Sequence, residues 1–303
     1  MKISSKAAAG ILAVFISTGL AAQTFPAAVS MKAAATSSIA SQMEWGTLKI
    51  GGGGFTRAQN AFIEGFMKSI TSRDEAIPLD FYSWHLYFVD IEKFLEEYRR
   101  SASLLKSYGC EHTENIFDEW NYMRNWADQS GSYIALKSHI GASFCAATLA
   151  AMQTQTDIAA AAYFEGDVTK EWCGLFDVGA MSIGAVKATV KKLKPFYAFL
   201  HFGDLYRLGN AVQIEAAGSG IYACAACAKD AAGILAANYT DTPEDAEVTM
   251  EISGFTGTPT VRVTDAERTD EPLDAERRTT EDGRTVLRFV LPGHSFAFVE
   301  MHA

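Results

Sequence analysis

Two regions of different class are predicted: an α/β region over residues 46–208 and an all-β region over residues 209–303. Three observations carry this. Strand-like and helix-like patterns alternate through the first region and give four strand–helix units. Beyond about residue 210 the helical period stops, and short β-like runs punctuated by Gly, Pro and Asp take over. Two segments of the first region, Pro78–Tyr87 and Asn115–Tyr122, also end in polar groups on one face, as neighbours do in a parallel sheet whose carboxyl ends line a site.

In order, Leu48–Ile50 reads as a short strand and Gly51–Gly54 as a tight turn after it. No Gly-Lys-Ser/Thr follows the glycines and residue 57 is Arg, so a phosphate-binding loop is excluded. Phe62, Ile63, Phe66 and Ile70 recur at helical spacing within Thr56–Ser72. Pro78 forces extended geometry on its predecessor and opens the next strand. Asp90 is the expected N-cap of a helix with the apolar stripe Ile91, Phe94, Leu95, Tyr98, Leu104 and Leu105, stopped at Gly109. A long Ala- and Leu-rich helix is expected from about Tyr133 to Met152, then a strand over Asp157–Phe164. An aromatic and acidic loop, Glu165–Asp177, precedes a last helix around Phe196–Leu200. The all-β region is expected to form a β-sandwich from Ile221–Ala228, Gly233–Tyr239, Glu247–Ile252, Thr260–Thr264, Val286–Val290 and Ser295–Met301. Thr264–Arg284, with eight acids and four arginines, reads as a solvated hairpin or loop.

With 303 residues, 49% of them apolar, the chain buries one large or two smaller cores. A net charge of −10 with no basic cluster repels a phosphate backbone, which argues against nucleic acid and for a weakly charged ligand. Lys2, Lys6 and the apolar run Ala7–Ala22 read as a secretory signal over residues 1–22, too short and alanine-rich for a membrane span. The expected location is therefore secreted or periplasmic, and cytoplasmic if the leader has no such role. Residues 23–45 read as a linker. Five cysteines, an odd number, do not form a disulfide framework. Cys224 and Cys227 lie on opposite faces of a strand with no second pair to complete a zinc site, so they read as small buried residues, and no metal or cofactor is expected.

Strand alternation puts Phe117, Glu119 and Asn121 on one face of their strand and Asp118 and Trp120 on the other, so Asp118 and Glu119 are not expected to act as a pair. Ser83, His85 and Tyr87 share a face of the preceding strand. Glu119 is the strongest candidate, because an unpaired carboxylate inside an apolar strand is costly without a use. His85 and Tyr87 are weighed evenly against ordinary core packing. Trp84 and Trp120 face away and are expected to pack on helices.

The segments "LKIGG", "LDFYSWHLY", "IFDEWNY" and "YFEGDVTKEWCGLFD", in that order, resemble glycoside hydrolase family 39, the β-xylosidase and α-L-iduronidase group. The resemblance implies an incomplete (β/α)8 barrel, strands five to eight with their helices over residues 46–208, followed by a β-sandwich over 209–303. It implies a retaining glycosidase acting on xylosides or similar glycosides, with Glu119 on strand seven as nucleophile. Tyr87 would hydrogen-bond that nucleophile, His85 would contact a sugar hydroxyl, and Trp172 is the candidate for stacking on sugar. No firm role attaches to Asn121.

The family's acid/base lies in an Asn-Glu-Pro motif on strand four, and this chain has no Asn-Glu-Pro. Residues 46–205 are also about 160, against roughly 250 for a whole barrel. Glu165 follows strand eight, beside Glu119 rather than across the site, and is not expected to replace the acid. The alternative is an inactive glycosidase fragment serving as a carbohydrate-binding or structural module. Either way the expected partner is a carbohydrate, with self-association possible through open sheet edges.

Overall fold

The computed structural model describes residues 49–56, 61–74, 77–178, 190–214, 216, 218–255 and 257–302. The leader expected at 1–22 and the linker at 23–45 lie outside the described residues. The first region is β1 (Gly51–Phe55), α1 (Ala61–Thr71), β2 (Phe81–Phe88), α2 (Ile91–Ser107), β3 (Glu114–Tyr122), α3 (Gln129–Leu136), α4 (His139–Gln155) and β4 (Ile158–Tyr163). The short antiparallel pair β5 (Phe176–Asp177) and β6 (Lys191–Lys192) precedes α5 (Lys194–Leu208). Strands β1 to β4 form one parallel sheet in sequence order, with β1 and β4 at its edges.

Several expectations are met locally. Asp90 caps α2, its Oδ1 accepting from the Glu92 amide at 3.0 Å, and Ile91, Phe94, Leu95, Leu104 and Leu105 are buried. Others are corrected. The glycine run is itself the first strand, not a turn: Gly51 pairs with Phe81, and a Cβ there would sit 2.1 Å from the Phe81 carbonyl oxygen. Only a residue without a side chain permits that approach. On α1 the buried stripe is Ile63, Met67 and Ile70, while Phe62 is 75% exposed. The single helix expected over Tyr133–Met152 is two helices, bent by 75° at Ser138, whose Oγ caps α4 by accepting from the Ile140 amide at 3.1 Å.

The most consequential correction is in β3. Trp84 pairs with Phe117 but His85 pairs with Glu119, so one residue of β3 is left over. This is the pattern of a β-bulge, which locally breaks alternation. Phe117 consequently lies on the same side as Trp120, their rings 6.3 Å apart and parallel, packed with Trp84 and with Phe94 of α2. Phe117 does not share a face with Glu119. Asp118 does, because the bulge turns two consecutive carboxylates to the inner side of the sheet.

The all-β region contains β7 (Asn210–Val212), β8 (Ile221–Cys227), β9 (Ala231–Asn238), β10 (Ala246–Ile252), β11 (Thr260–Thr264), β12 (Glu271–Pro272), β13 (Glu276–Thr279), β14 (Thr285–Leu291) and β15 (Ser295–His302). A six-stranded sheet runs β12-β11-β15-β9-β8-β7 and a three-stranded sheet β10-β14-β13. Their facing side chains, among them Val263, Leu287, Leu291, Ala297 and Val299, make one core. Cys224 joins the core on the helix side of its sheet and Cys227 packs on the other, as alternation requires. The charged run is only partly solvated. β13 is exposed, but Asp265 is 4% exposed and binds Arg268, while the backbone carbonyls of Asp265, Ala266 and Arg268 accept from Lys194 Nζ of α5.

α4 is buried along its length from Gly141 to Met152 and packs on β8 and β9 as well as α5. A helix apolar all round is what such a position requires. One core therefore runs from Trp84 and Phe144 to Leu235 and Phe298. Tyr239 adds a hydrogen bond to the Val89 carbonyl at 2.7 Å. The helical part ends at Gly209, in left-handed geometry (φ 86°).

Candidate active site

The carboxyl ends of β3 and β4 and the segment after β4 enclose a cavity of about 160 Å³ lined by Asp118, Glu119, Ala162, Tyr163, Phe164, Glu165 and Gly166. Glu119 is held from β2, where the Tyr87 hydroxyl donates to its Oε1. Burial raises the Tyr87 phenol far above its ordinary range, and the bond to Glu119 raises it further, so Tyr87 remains a donor.

His85 is the register partner of Glu119 on β2. Its Nδ1 is 3.4 Å from Asp118 Oδ1, a long contact, and that oxygen is buried with no hydrogen bond of ordinary geometry. Bonding to Asp118 raises the imidazole's pKa against the opposing effect of burial, and the charges of Asp118 and Glu119 raise it further. On β1 the Gly54 amide donates to Ser83 Oγ at 3.0 Å, tying the glycine strand to the polar face of β2.

Asn121 is fully buried and clamps the site. Its Nδ2 donates to the carbonyls of Phe164 and, at 3.1 Å, Trp172, while its Oδ1 accepts from the Tyr122 amide at 2.6 Å. It therefore joins β3 to the end of β4 and to the loop beyond. A Cβ on Gly174 would lie 2.2 Å from the Tyr163 hydroxyl, so that loop comes close only because residue 174 has no side chain. The Phe164–Glu165 peptide is cis.

Aromatic rings wall the rest of the site. Trp172 packs at 4.8 Å from Tyr87 and 5.1 Å from Tyr133. Trp126, in the loop after β3, stands 5.3 Å from Tyr87 with 57% of its surface exposed. Trp84 and Trp120 lie on the helix side, Trp84 stacked on Phe94 and Trp120 on Phe199.

Glu119, Tyr87, His85 and Trp172, all singled out from sequence, are thus brought together. Glu165 joins Glu119 in one cavity, with its carboxyl raised first by burial, then by Asp167 and Glu119 and against Lys170. Asp118 and Trp126 were missed: a bulge has no signature in an apolar strand, and Trp126 lies in a loop without period. Among the described residues no group of His, Cys, Asp or Glu is arranged to hold a metal ion.

No protein-family model matches the sequence, and no curated protein matches it. Its fold is that of glycoside hydrolases. A glucosidase from Croceicoccus marinus superposes with a TM-score of 0.64 at 18% identity, over 84% of this chain and 61% of that one. The GH39 enzyme from Xanthomonas axonopodis pv. citri gives 0.58 at 16%, over 89% and 62%. A GH39 β-xylosidase from Caulobacter crescentus gives 0.55 at 15%, over 84% and 58%. The chain therefore spans about three-fifths of the length of these proteins. At such identities the likeness establishes the fold and not the chemistry.

Proposed function

We propose that β1 to β4 are the last four strands of a glycosidase-type (β/α)8 barrel and that Glu119 is the nucleophile of a retaining mechanism on xylosides or similar glycosides. The observation that carries this is a carboxylate on the inner face at the carboxyl end of a parallel strand, fixed by the phenol of the next strand. In such a fold the strand ends carry the catalytic groups. A retaining mechanism needs a second carboxyl about 5–5.5 Å away to protonate the leaving oxygen. Burial raises the Glu165 carboxyl, but Glu165 follows the end of β4, beside the nucleophile rather than across the bond to be broken.

Turnover of ordinary glycosides by this chain is therefore expected to lack the roughly 10²–10⁴-fold that a placed acid contributes. With Glu165 beside Glu119 and not across from it, a second reading is that the chain binds sugar without turning it over. The outer strands β1 and β4 are also the edges through which self-association is proposed.

A substrate whose leaving group needs no proton isolates the nucleophile. 2,4-Dinitrophenyl β-xyloside should release dinitrophenolate with the unaltered chain and not with Glu119→Ala. Azide should restore release to that variant by forming the xylosyl azide. Unchanged release from Glu119→Ala rules out the assignment, and release from neither protein favours the binding module.

A further inference from the structure

The bulge in β3 brings to the inner face a carboxylate that a regular strand would have sent to the helices. Asp118 and Glu119 are consecutive, yet their partners differ: Glu119 receives the Tyr87 hydroxyl, and among the described residues the side-chain partner recorded for Asp118 is His85. On the side away from His85, a Cβ built on Gly54 would still be 3.6 Å from Asp118 Oδ2, so the glycine strand leaves Asp118 room but offers it no side-chain donor. A buried Oδ1 whose nearest recorded partner is an imidazole nitrogen 3.4 Å away is costly unless that nitrogen carries a proton.

We infer that Asp118 is the positioning residue of His85. Its carboxylate keeps the proton on Nδ1, sets the tilt of the ring, and leaves Nε2 as the atom offered to a sugar hydroxyl beside Glu119. A histidine's free nitrogen takes its role from the hydrogen bond that the other nitrogen makes. The charged and titratable groups facing the ring are Asp118 and Glu119 from β3 and Tyr87 from its own strand, with the uncharged Ser83–Gly54 bond on the β1 side. Part of this rests on the glycosidase-type reading, because only that reading makes the ligand of Nε2 a sugar. The tautomer and tilt do not depend on it.

The test is long-range ¹⁵N–¹H NMR of the histidine rings in the full chain, with His85→Gln assigning the signal. The unaltered protein should show His85 with its proton on Nδ1 and a midpoint above the ordinary 6.5. Asp118→Asn should lower that midpoint by about one unit, the low end of the effect of an adjacent opposite charge. Asp118→Ser, smaller and uncharged, should do the same and serves if the amide disturbs the fold. An unchanged midpoint and tautomer in both variants overturns the proposal.

Titration with methyl β-xyloside forms the second arm. His85→Gln and Asp118→Asn should each weaken binding, and the double variant should be no worse than His85→Gln alone, as for residues acting through one another. Additive losses would mean that Asp118 meets the ligand itself, which also overturns the proposal. If the unaltered chain binds no xyloside, the glycosidase-type reading fails there, while the ring titration still decides the Asp118–His85 pair.

Discussion

Replacing Asn121 with leucine removes a side chain that no ligand needs to touch and yet should unsettle the whole site. The amide is fully buried and satisfies three backbone groups: the carbonyls of Phe164 and Trp172 and the amide of Tyr122. Leucine has similar bulk, so the loss is that of hydrogen bonds and not of volume. An orphaned buried polar group costs about 1–3 kcal/mol. Phe164 borders an open cavity where water can replace part of the loss, which puts the sum near the low end, about 3 kcal/mol for the three groups. At roughly 2–4 °C per kcal/mol for a chain of this size, the melting temperature should fall by about 6–12 °C. Differential scanning calorimetry measures this directly. A fall below about 2 °C would refute the clamp and return Asn121 to the list of groups free to meet a ligand.

Three further outcomes follow from the same contacts. Tyr87→Phe deletes the bond to Glu119, worth about 1.5–3 kcal/mol for a charged acceptor, and should slow glycosylation of Glu119 by about 10- to 150-fold if that bond is kept in the transition state; an unaltered rate contradicts the role given to Tyr87. His139 and His294, rings 6.2 Å apart, are both lowered, each mainly by burial, so the unfolded chain takes up protons first as pH falls below about 6.5, and stability falls with it. His85, raised, works in the opposite sense, stabilising below 6.5 and losing that contribution as pH rises through its folded value. His139→Gln with His294→Gln should therefore flatten the decline in urea stability between pH 7.5 and 5.5, and an unchanged slope contradicts it. We propose 209 as the boundary between the two regions, but α4 and α5 pack on β8 and β9, so residues 209–303 made alone should lack a cooperative transition; a sharp melt from that piece would show independence.

What was legible in the sequence follows from what periodicity reports. The strand–helix alternation, the Asp90 cap and the six main sandwich strands express regular spacing, and they stand where spacing puts them, while the Tyr87–Glu119 bond is what the family resemblance implies. The failures are local departures from regularity. The glycine run suggests a turn because glycine favours turns in isolation, whereas here glycine is required because a Cβ on Gly51 would lie 2.1 Å from the Phe81 carbonyl oxygen, a tertiary fact. Alternation puts Asp118 on the wrong face because it assumes no inserted residue, and the bulge shows only in the pairing of β3 with its neighbours. The break at Ser138 does not show as a loss of helical pattern, because helix-forming sequence lies on both sides of it, although serine is a capping residue. Asn121 was placed on the correct face, but its partners lie 43 and 51 residues away in a loop without pattern.

The central claim, that Glu119 is a nucleophile held ready by Tyr87, is tested most directly by covalent capture. 2,4-Dinitrophenyl 2-deoxy-2-fluoro-β-xyloside has a leaving group that departs without an acid, and its fluorine slows hydrolysis of the glycosyl-enzyme, so a carboxylate nucleophile remains esterified. Mass spectrometry of the digested protein should find one 2-fluoroxylosyl group on the peptide containing Glu119, absent in Glu119→Gln and slower to form in Tyr87→Phe. Labelling at Asp118 or Glu165 in place of Glu119, or labelling that persists in Glu119→Gln, would contradict the account.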